Sequence, residues 1–144
     1  MKIGVASDHA GFEHKGKIAA LLKKKGHEVI DYGTYSTESC DYSDFAHPLG
    51  TAIDNGDVEL GVAFCGTGNG MAITLNKHQK VRAALCWGTE IARLAKAHNN
   101  ANVIVMPARF ISYQMVTSIV NKWLETEFEG GRHERRIEKI PLCR

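Results

Sequence analysis

The sequence predicts an α/β protein: a single doubly wound sheet of five parallel strands, followed by a C-terminal helical tail. Three observations carry this prediction. Short apolar runs alternate about five times with segments of helical periodicity. The runs, such as Leu60-Gly61-Val62-Ala63-Phe64, are apolar throughout instead of alternating with polar residues, as strands covered on both faces require. The third run leads into the glycine-rich Cys65-Gly66-Thr67-Gly68-Asn69-Gly70, a turn placed to join a strand to a helix in such a sheet.

Taken in order, the first strand is Lys2 to Ser7, and it ends at Asp8-His9-Ala10-Gly11. A helix follows from about Phe12 to Lys25, because Ile18, Leu21 and Leu22 recur at helical spacing with lysines between them. Lys23-Lys24-Lys25-Gly26 stops it, since cations suit the negative helix end and glycine accepts the left-handed cap. His27 to Ile30 is the second strand. The polar stretch Asp31 to Asp44 reads as a loop and overlaps the start of a second helix, about Tyr42 to Asp54, which ends at Asn55-Gly56. Pro48 inside that helix predicts a later start or a kink. After the third strand and its glycine loop comes a short helix, about Met71 to Lys77. Arg82 to Cys86 is the fourth strand. Glu90 to His98 is helical, with Ile91, Leu94 and Ala95 on one face, and Asn102 to Met106 is the fifth strand. Ser112 to Glu127 reads as a long amphipathic helix with Ser112 as its N-cap, and Gly130-Gly131 separates it from a basic tail. Trp87, Trp123 and the helix-face methionines read as core. No linker, repeat or low-complexity segment divides the chain, so residues 1–144 are expected to form one domain.

A chain of 144 residues is the size of one ordinary domain and needs no metal or disulfide staple. The net charge of +2 lacks the basic excess of a nucleic-acid binder. No run of about 18 apolar residues is present, which argues against a membrane span, and the N-terminus lacks the apolar region of a secretory signal. Cys40, Cys65, Cys86 and Cys143 are far apart, with no CxxC pair and no zinc spacing, so they are expected to be reduced thiols in a cytoplasmic protein.

In an open parallel sheet, ligands bind outside the carboxyl ends of the strands where the strand order reverses. The loops there hold Asp8-His9, Cys65 to Gly70, Cys86-Trp87-Gly88 and Pro107-Ala108-Arg109. Gly66, Gly68 and Gly70 let the backbone come close to a ligand, and their N–H groups can hold an oxyanion; a tight turn without a ligand is the other reading. The spacing matches neither a dinucleotide fingerprint nor a Walker A loop. Cys65 reads as a nucleophile or base, or as a small buried hydrophobe. A phosphatase loop would need an arginine where Met71 stands. Asp8 reads as a ligand or a helix cap, and His98 as an acid or base or a helix C-cap. Its position just before the fifth strand puts His98 at the opposite end of the sheet, where its helix could carry it toward a partner subunit. Arg132 and Arg136, at i and i+4, could grip a phosphate together or lie on a solvated helix face.

Ser7-Asp8-His9-Ala10-Gly11, Cys65-Gly66-Thr67-Gly68-Asn69-Gly70, His98-Asn99 and Glu129-Gly130-Gly131-Arg132-His133-Glu134-Arg135-Arg136 resemble the type B ribose-5-phosphate isomerases, a family that includes galactose and allose 6-phosphate isomerases. The resemblance spans essentially the whole chain, with the motifs in the same order. It implies a Rossmann-like fold and reversible conversion of ribose 5-phosphate to ribulose 5-phosphate, with no metal and no cofactor. It also implies a site between two subunits, hence a homodimer or a tetramer. By resemblance, Cys65 moves the proton between C2 and C1. His98 opens the furanose ring, and Thr67 assists. Asp8 and Asn99 hold sugar hydroxyls; His9, Arg109, Arg132 and Arg136 surround the phosphate. The N–H groups of the loop, Gly66, Gly68, Asn69 and Gly70, would stabilise the enediolate, and its dipoles would lower the pKa of Cys65. One departure is Pro107-Ala108-Arg109 where the family often has Gly-x-Arg, because proline fixes φ and removes a donor. The readings that compete are an isomerase of a six-carbon sugar phosphate and a non-catalytic nucleotide- or phosphate-binding module.

Overall fold

Five strands and six helices alternate along residues 1–142, which the computed structural model describes; Cys143 lies outside the described residues. In chain order they are β1 (Lys2–Ser7), α1 (Phe12–Lys24), β2 (Glu28–Asp31), α2 (Ser43–Asn55), β3 (Leu60–Cys65), α3 (Asn69–Leu75), β4 (Ala83–Leu85), α4 (Thr89–Asn99), β5 (Val103–Pro107), α5 (Tyr113–Glu125) and α6 (Arg132–Glu138). A 3₁₀ turn, His9–Gly11, precedes α1. All strand pairs are parallel, in the order β2-β1-β3-β5-β4. The sheet is the doubly wound five-stranded one expected, and α6 is the helical tail.

The two-residue alternation of the strands sorts the core into two layers. Val62 and Phe64 of β3 and Ile104 and Met106 of β5 face α1, α4 and α5, where Ile18, Leu22, Ala92, Ile119 and Trp123 are buried. Ala63 and Cys65 of β3 and Val103 and Val105 of β5 face α2 and α3, against Leu49, Ile53, Met71 and Leu75. The central strands β1, β3 and β5 are buried nearly end to end, while β2 and β4 at the edges are half-exposed. The free edge of β4 is covered by one side chain. The Asn76 amide donates to the Ala83 carbonyl at 2.9 Å and accepts from the Ala83 N–H at 2.8 Å, as a neighbouring strand would.

Several local signals hold. Gly26 takes φ +94° after α1, and the N–H groups of Lys25, Gly26 and His27 bond the last carbonyls. Ser112 caps α5, its Oγ accepting from the Met115 N–H at 3.1 Å. Others need correction. Pro48 neither delays nor interrupts α2; it sits on the exposed face, where its ring meets solvent. Helix α5 ends at Glu125 because Thr126 turns extended. Trp123 is core, its indole N–H donating to the Ala101 carbonyl at 3.0 Å, but Trp87 is 55% exposed and lies against Phe110, ring centroids 5.6 Å apart. Met71 is buried while Met115 is exposed. Among the described residues, no helix is long and apolar enough to cross a membrane.

Candidate active site

The strand order reverses at β1, whose neighbours are β2 on one side and β3 on the other. In such sheets ligands bind at the carboxyl ends of the strands flanking that reversal, here β1 and β3. Asp8 leaves β1 with its N–H on the Phe64 carbonyl at 3.2 Å, which binds the two strand ends together. Its carboxylate is a cap: Oδ1 accepts from the N–H groups of Ala10 (2.9 Å) and Gly11 (3.3 Å). Asp8 is nonetheless only 6% exposed, and its charge is felt at Cys65. His9 follows, with Nδ1 accepting from the Cys40 N–H at 3.2 Å and so fixing the 31–44 loop.

Lys15 supports this corner from below. It is 1% exposed, and its ammonium donates to both Asp31 oxygens (2.6 and 2.8 Å) and to the Thr34 carbonyl (2.6 Å). Gly33 and Thr34 in turn bond the backbone of Ser7, beside Asp8. Although it lies on α1, Lys15 is an internal brace, because its partners come from other segments.

Cys65 ends β3 and is 4% exposed. The loop after it is tightly set. Thr67 Oγ1 accepts from the Asn69 N–H at 3.2 Å, leaving its own proton free to donate. Gly68 takes φ +80°, and a Cβ there would meet Leu85 Cδ1 at 2.3 Å. Gly70 packs on the Tyr42 ring. Pro107 does not displace Arg109. It closes β5 in register with Cys65, and the N–H groups of Ala108 and Arg109 bond the carbonyls of Cys65 (2.9 Å) and Gly66 (3.1 Å). The Arg109 guanidinium then lies over Gly66, where an added Cβ would sit 3.2 Å from Nη1.

The electrostatics of Cys65 differ from expectation. Burial pushes its thiol above the ordinary value and outweighs hydrogen bonds from the backbone N–H groups of Met71, Gly68 and Gly70, which pull it down; the Asp8 carboxylate adds to the rise. The expected lowering by the loop dipoles is therefore real in sign, but smaller than the loss of water around the sulfur.

His98 and Asn99 lie at the other end of the sheet. They close α4 just before β5 begins, and five residues of β5 at about 3.3 Å each span about 16 Å from that end to the Cys65 end. There the His98 ring stacks on that of His133, centroids 4.3 Å apart and 11° from parallel. Glu129 Oε1 approaches both Nε2 atoms, at 3.7 Å from His98 and 3.6 Å from His133. Burial first, then the charges of His98, Arg132 and Arg136, hold His133 below the usual imidazole range, with Glu129 opposing. Arg132 and Arg136 are exposed on α6 beside this pair, and the Asn99 carbonyl accepts from Arg82 Nε at 3.2 Å.

Within one chain the predicted residues thus fall into two groups. Asp8, His9, Cys65, Gly66, Thr67, Gly68, Asn69, Gly70 and Arg109 gather at the carboxyl ends of the strands. His98, Asn99, Arg132 and Arg136 gather at the amino ends. Sequence reasoning placed Glu129 and His133 in a motif but gave them no role at the site, and gave none to Tyr42. The i, i+4 spacing of Glu129 and His133 is a signal, but Gly130-Gly131 between them rules out a common helix.

A family model described as Ribose/Galactose Isomerase matches residues 3–140. The chain belongs to that family. It is 40% identical to ribose-5-phosphate isomerase B of Escherichia coli over 96% of this chain and 93% of that one. Among solved structures, a ribose 5-phosphate isomerase of Thermotoga maritima is similar at 50% identity and a TM-score of 0.94, covering 97% of both chains. Ribose-5-phosphate isomerase B of Mycoplasma genitalium, solved with bound ribulose-5-phosphate, is similar at 41% identity and a TM-score of 0.93, covering 96% of this chain and 93% of that one. The protein is accordingly an isomerase, an intramolecular oxidoreductase.

Proposed function

We propose that the protein interconverts ribose 5-phosphate and ribulose 5-phosphate through an enediolate, with Cys65 as the base and His98 as the acid that opens the furanose ring. The observation that carries this reading is the surround of Cys65: a single buried thiol facing three backbone N–H groups, with Thr67 and Asp8 beside it and the Arg109 guanidinium over Gly66. The thiolate takes the proton from C2 of the open aldose and returns it to C1. A hydroxyl proton moves from O2 to O1 in compensation, so that C1 is reduced, C2 is oxidised and no electron leaves the substrate. Negative charge grows on the enediolate oxygen during this transfer, and prealigned N–H groups of the Gly66 to Gly70 loop stabilise it, commonly the largest catalytic contribution. Asp8 and Asn99 hold sugar hydroxyls; His9, Arg109, Arg132 and Arg136 hold the phosphate, whose oxygens suit forked guanidinium donors.

Because the two groups of residues stand a sheet length apart, this reading requires two copies of the chain, each completing the other's site. The minimum unit is a homodimer with two such sites, working in the cytoplasm. Chain 1–144 acts as one domain in each copy. The assay is conversion of ribose 5-phosphate by wild type and Cys65→Ala, with allose and galactose 6-phosphates compared. Loss of turnover in the variant and the highest kcat/KM for the five-carbon sugar are expected. Full activity of Cys65→Ala overturns the role of the thiol, and a faster six-carbon substrate overturns the substrate.

A further inference from the structure

His98, Glu129 and His133 form a cluster whose chemistry exceeds what sugar isomerisation asks of it. One ligand atom from each, a ring nitrogen of either histidine and a carboxylate oxygen of Glu129, lies within 4.8 Å of the others. A zinc-like ion with ligands at about 2.0–2.1 Å in a tetrahedral array needs donor atoms about 3.3–3.5 Å apart. Two edges of the triangle are already 3.7 and 3.6 Å. The third runs between the histidines, which bring one ring nitrogen each within 4.8 Å, and it closes when the half-exposed His98 ring tilts out of its stack. The backbone that carries the other two donors is fixed: the Glu129 main-chain N–H donates to the Ala97 carbonyl at 2.9 Å and the His133 main-chain N–H to the Gly130 carbonyl at 3.1 Å, with the His133 side chain buried.

The surroundings select the kind of ion. Two imidazoles and one carboxylate suit zinc, cobalt, nickel or copper. Arg132 and Arg136 beside the cluster oppose ions held by charge alone, such as magnesium or calcium, whereas an ion held by nitrogen lone pairs tolerates them. With His98 at 38% and Glu129 at 53% side-chain exposure, a fourth position faces solvent.

We propose that His98, Glu129 and His133 bind one divalent transition-metal ion per chain, and that the bound ion stops turnover. The ion occupies the Nε2 lone pair of His98, so that this nitrogen can no longer carry a proton to or from the sugar ring. The binding site stands on geometry alone; its effect on turnover rests on the role given to His98 above.

The test titrates Co²⁺ into the full chain, read by calorimetry and by the visible spectrum of the metal, with turnover of ribose 5-phosphate followed in parallel. Expected is one Co²⁺ per chain with no thiolate-to-cobalt charge-transfer band, and unchanged binding in Cys65→Ala. Glu129→Gln keeps the backbone bond to Ala97 but weakens binding by more than about 100-fold, above the range of an outer-sphere loss. His133→Gln, checked for folding by circular dichroism, does the same. Wild-type turnover stops as the site fills and returns with chelator. Binding that survives both substitutions, or a thiolate band, overturns the site, as does no binding at all; those results leave the role of His98 standing. Binding lost in both variants, with wild-type turnover unaffected by the ion, keeps the site and overturns the role of His98.

Discussion

Replacing Gly68 by alanine tests whether the loop beside Cys65 is built by its backbone. Gly68 takes φ +80°, a conformation that costs an L-residue about 1–2 kcal/mol. The added Cβ would also meet Leu85 Cδ1, the end of a flexible side chain that must swing aside at a cost of about 0.5–1.5 kcal/mol. The sum is a loss of about 1.5–3.5 kcal/mol, which at a slope of about 2 kcal/mol/M lowers the urea midpoint by about 0.8–1.8 M. Gly16 is the control. It lies within α1 with nothing within 4 Å of a new Cβ, so Gly16→Ala is expected to stabilise by about 0.5–1 kcal/mol. Urea unfolding followed by circular dichroism reads both, and ribose 5-phosphate turnover reads the loop. Equal midpoints for Gly68→Ala and wild type, with turnover unchanged, would refute the reasoning.

Other consequences can be checked separately. Burial pushes the Cys86 thiol from 9.0 up to about 12. The native state then holds a proton that the unfolded chain releases from about pH 9, so stability is full below pH 9 and falls toward pH 12. The loss is about 4 kcal/mol at about 1.36 kcal/mol per unit, and Cys86→Ala should flatten that part of the curve of urea stability against pH. For the active site, the reactive form of Cys65 is the thiolate and its pKa is raised above 9.0, so log kcat/KM should still climb at pH 9; a plateau from neutrality upward contradicts this. Asn76→Ala removes both bonds to Ala83 and should cost about 1–3 kcal/mol in urea unfolding, with a greater tendency to associate through the β4 edge by light scattering.

Much of this molecule is legible in its sequence because the deciding forces are local. The apolar runs of β1, β3 and β5, the stop at Gly26 and the cap at Ser112 each depend on residues within a turn of one another. What escapes depends on contacts between distant segments. Nothing local puts β5 between β3 and β4, since all three runs are similarly apolar. Trp87 looks like core until the sheet edge leaves it outside against Phe110. Nothing near Lys15 in the sequence shows that Asp31 and Thr34 will fold over it. The site follows the same division. The Cys65 to Gly70 loop and Asp8 are readable from strand-end chemistry, and the opposite placement of His98 follows from its position before β5. The depth of Cys65 is not readable, and depth sets the direction of its pKa.

The central claim is that one site draws Cys65 from one chain and His98 from another. Mixing two inactive variants, Cys65→Ala and His98→Asn, and allowing subunits to exchange tests it directly. In a mixed dimer one site carries both lesions and the other carries none. Random exchange makes half the dimers mixed, so the forward rate on ribose 5-phosphate should recover to about one quarter of wild type, as a two-fold shared site requires. A mixture no more active than its two parents would place both residues in the same chain's site and contradict the account.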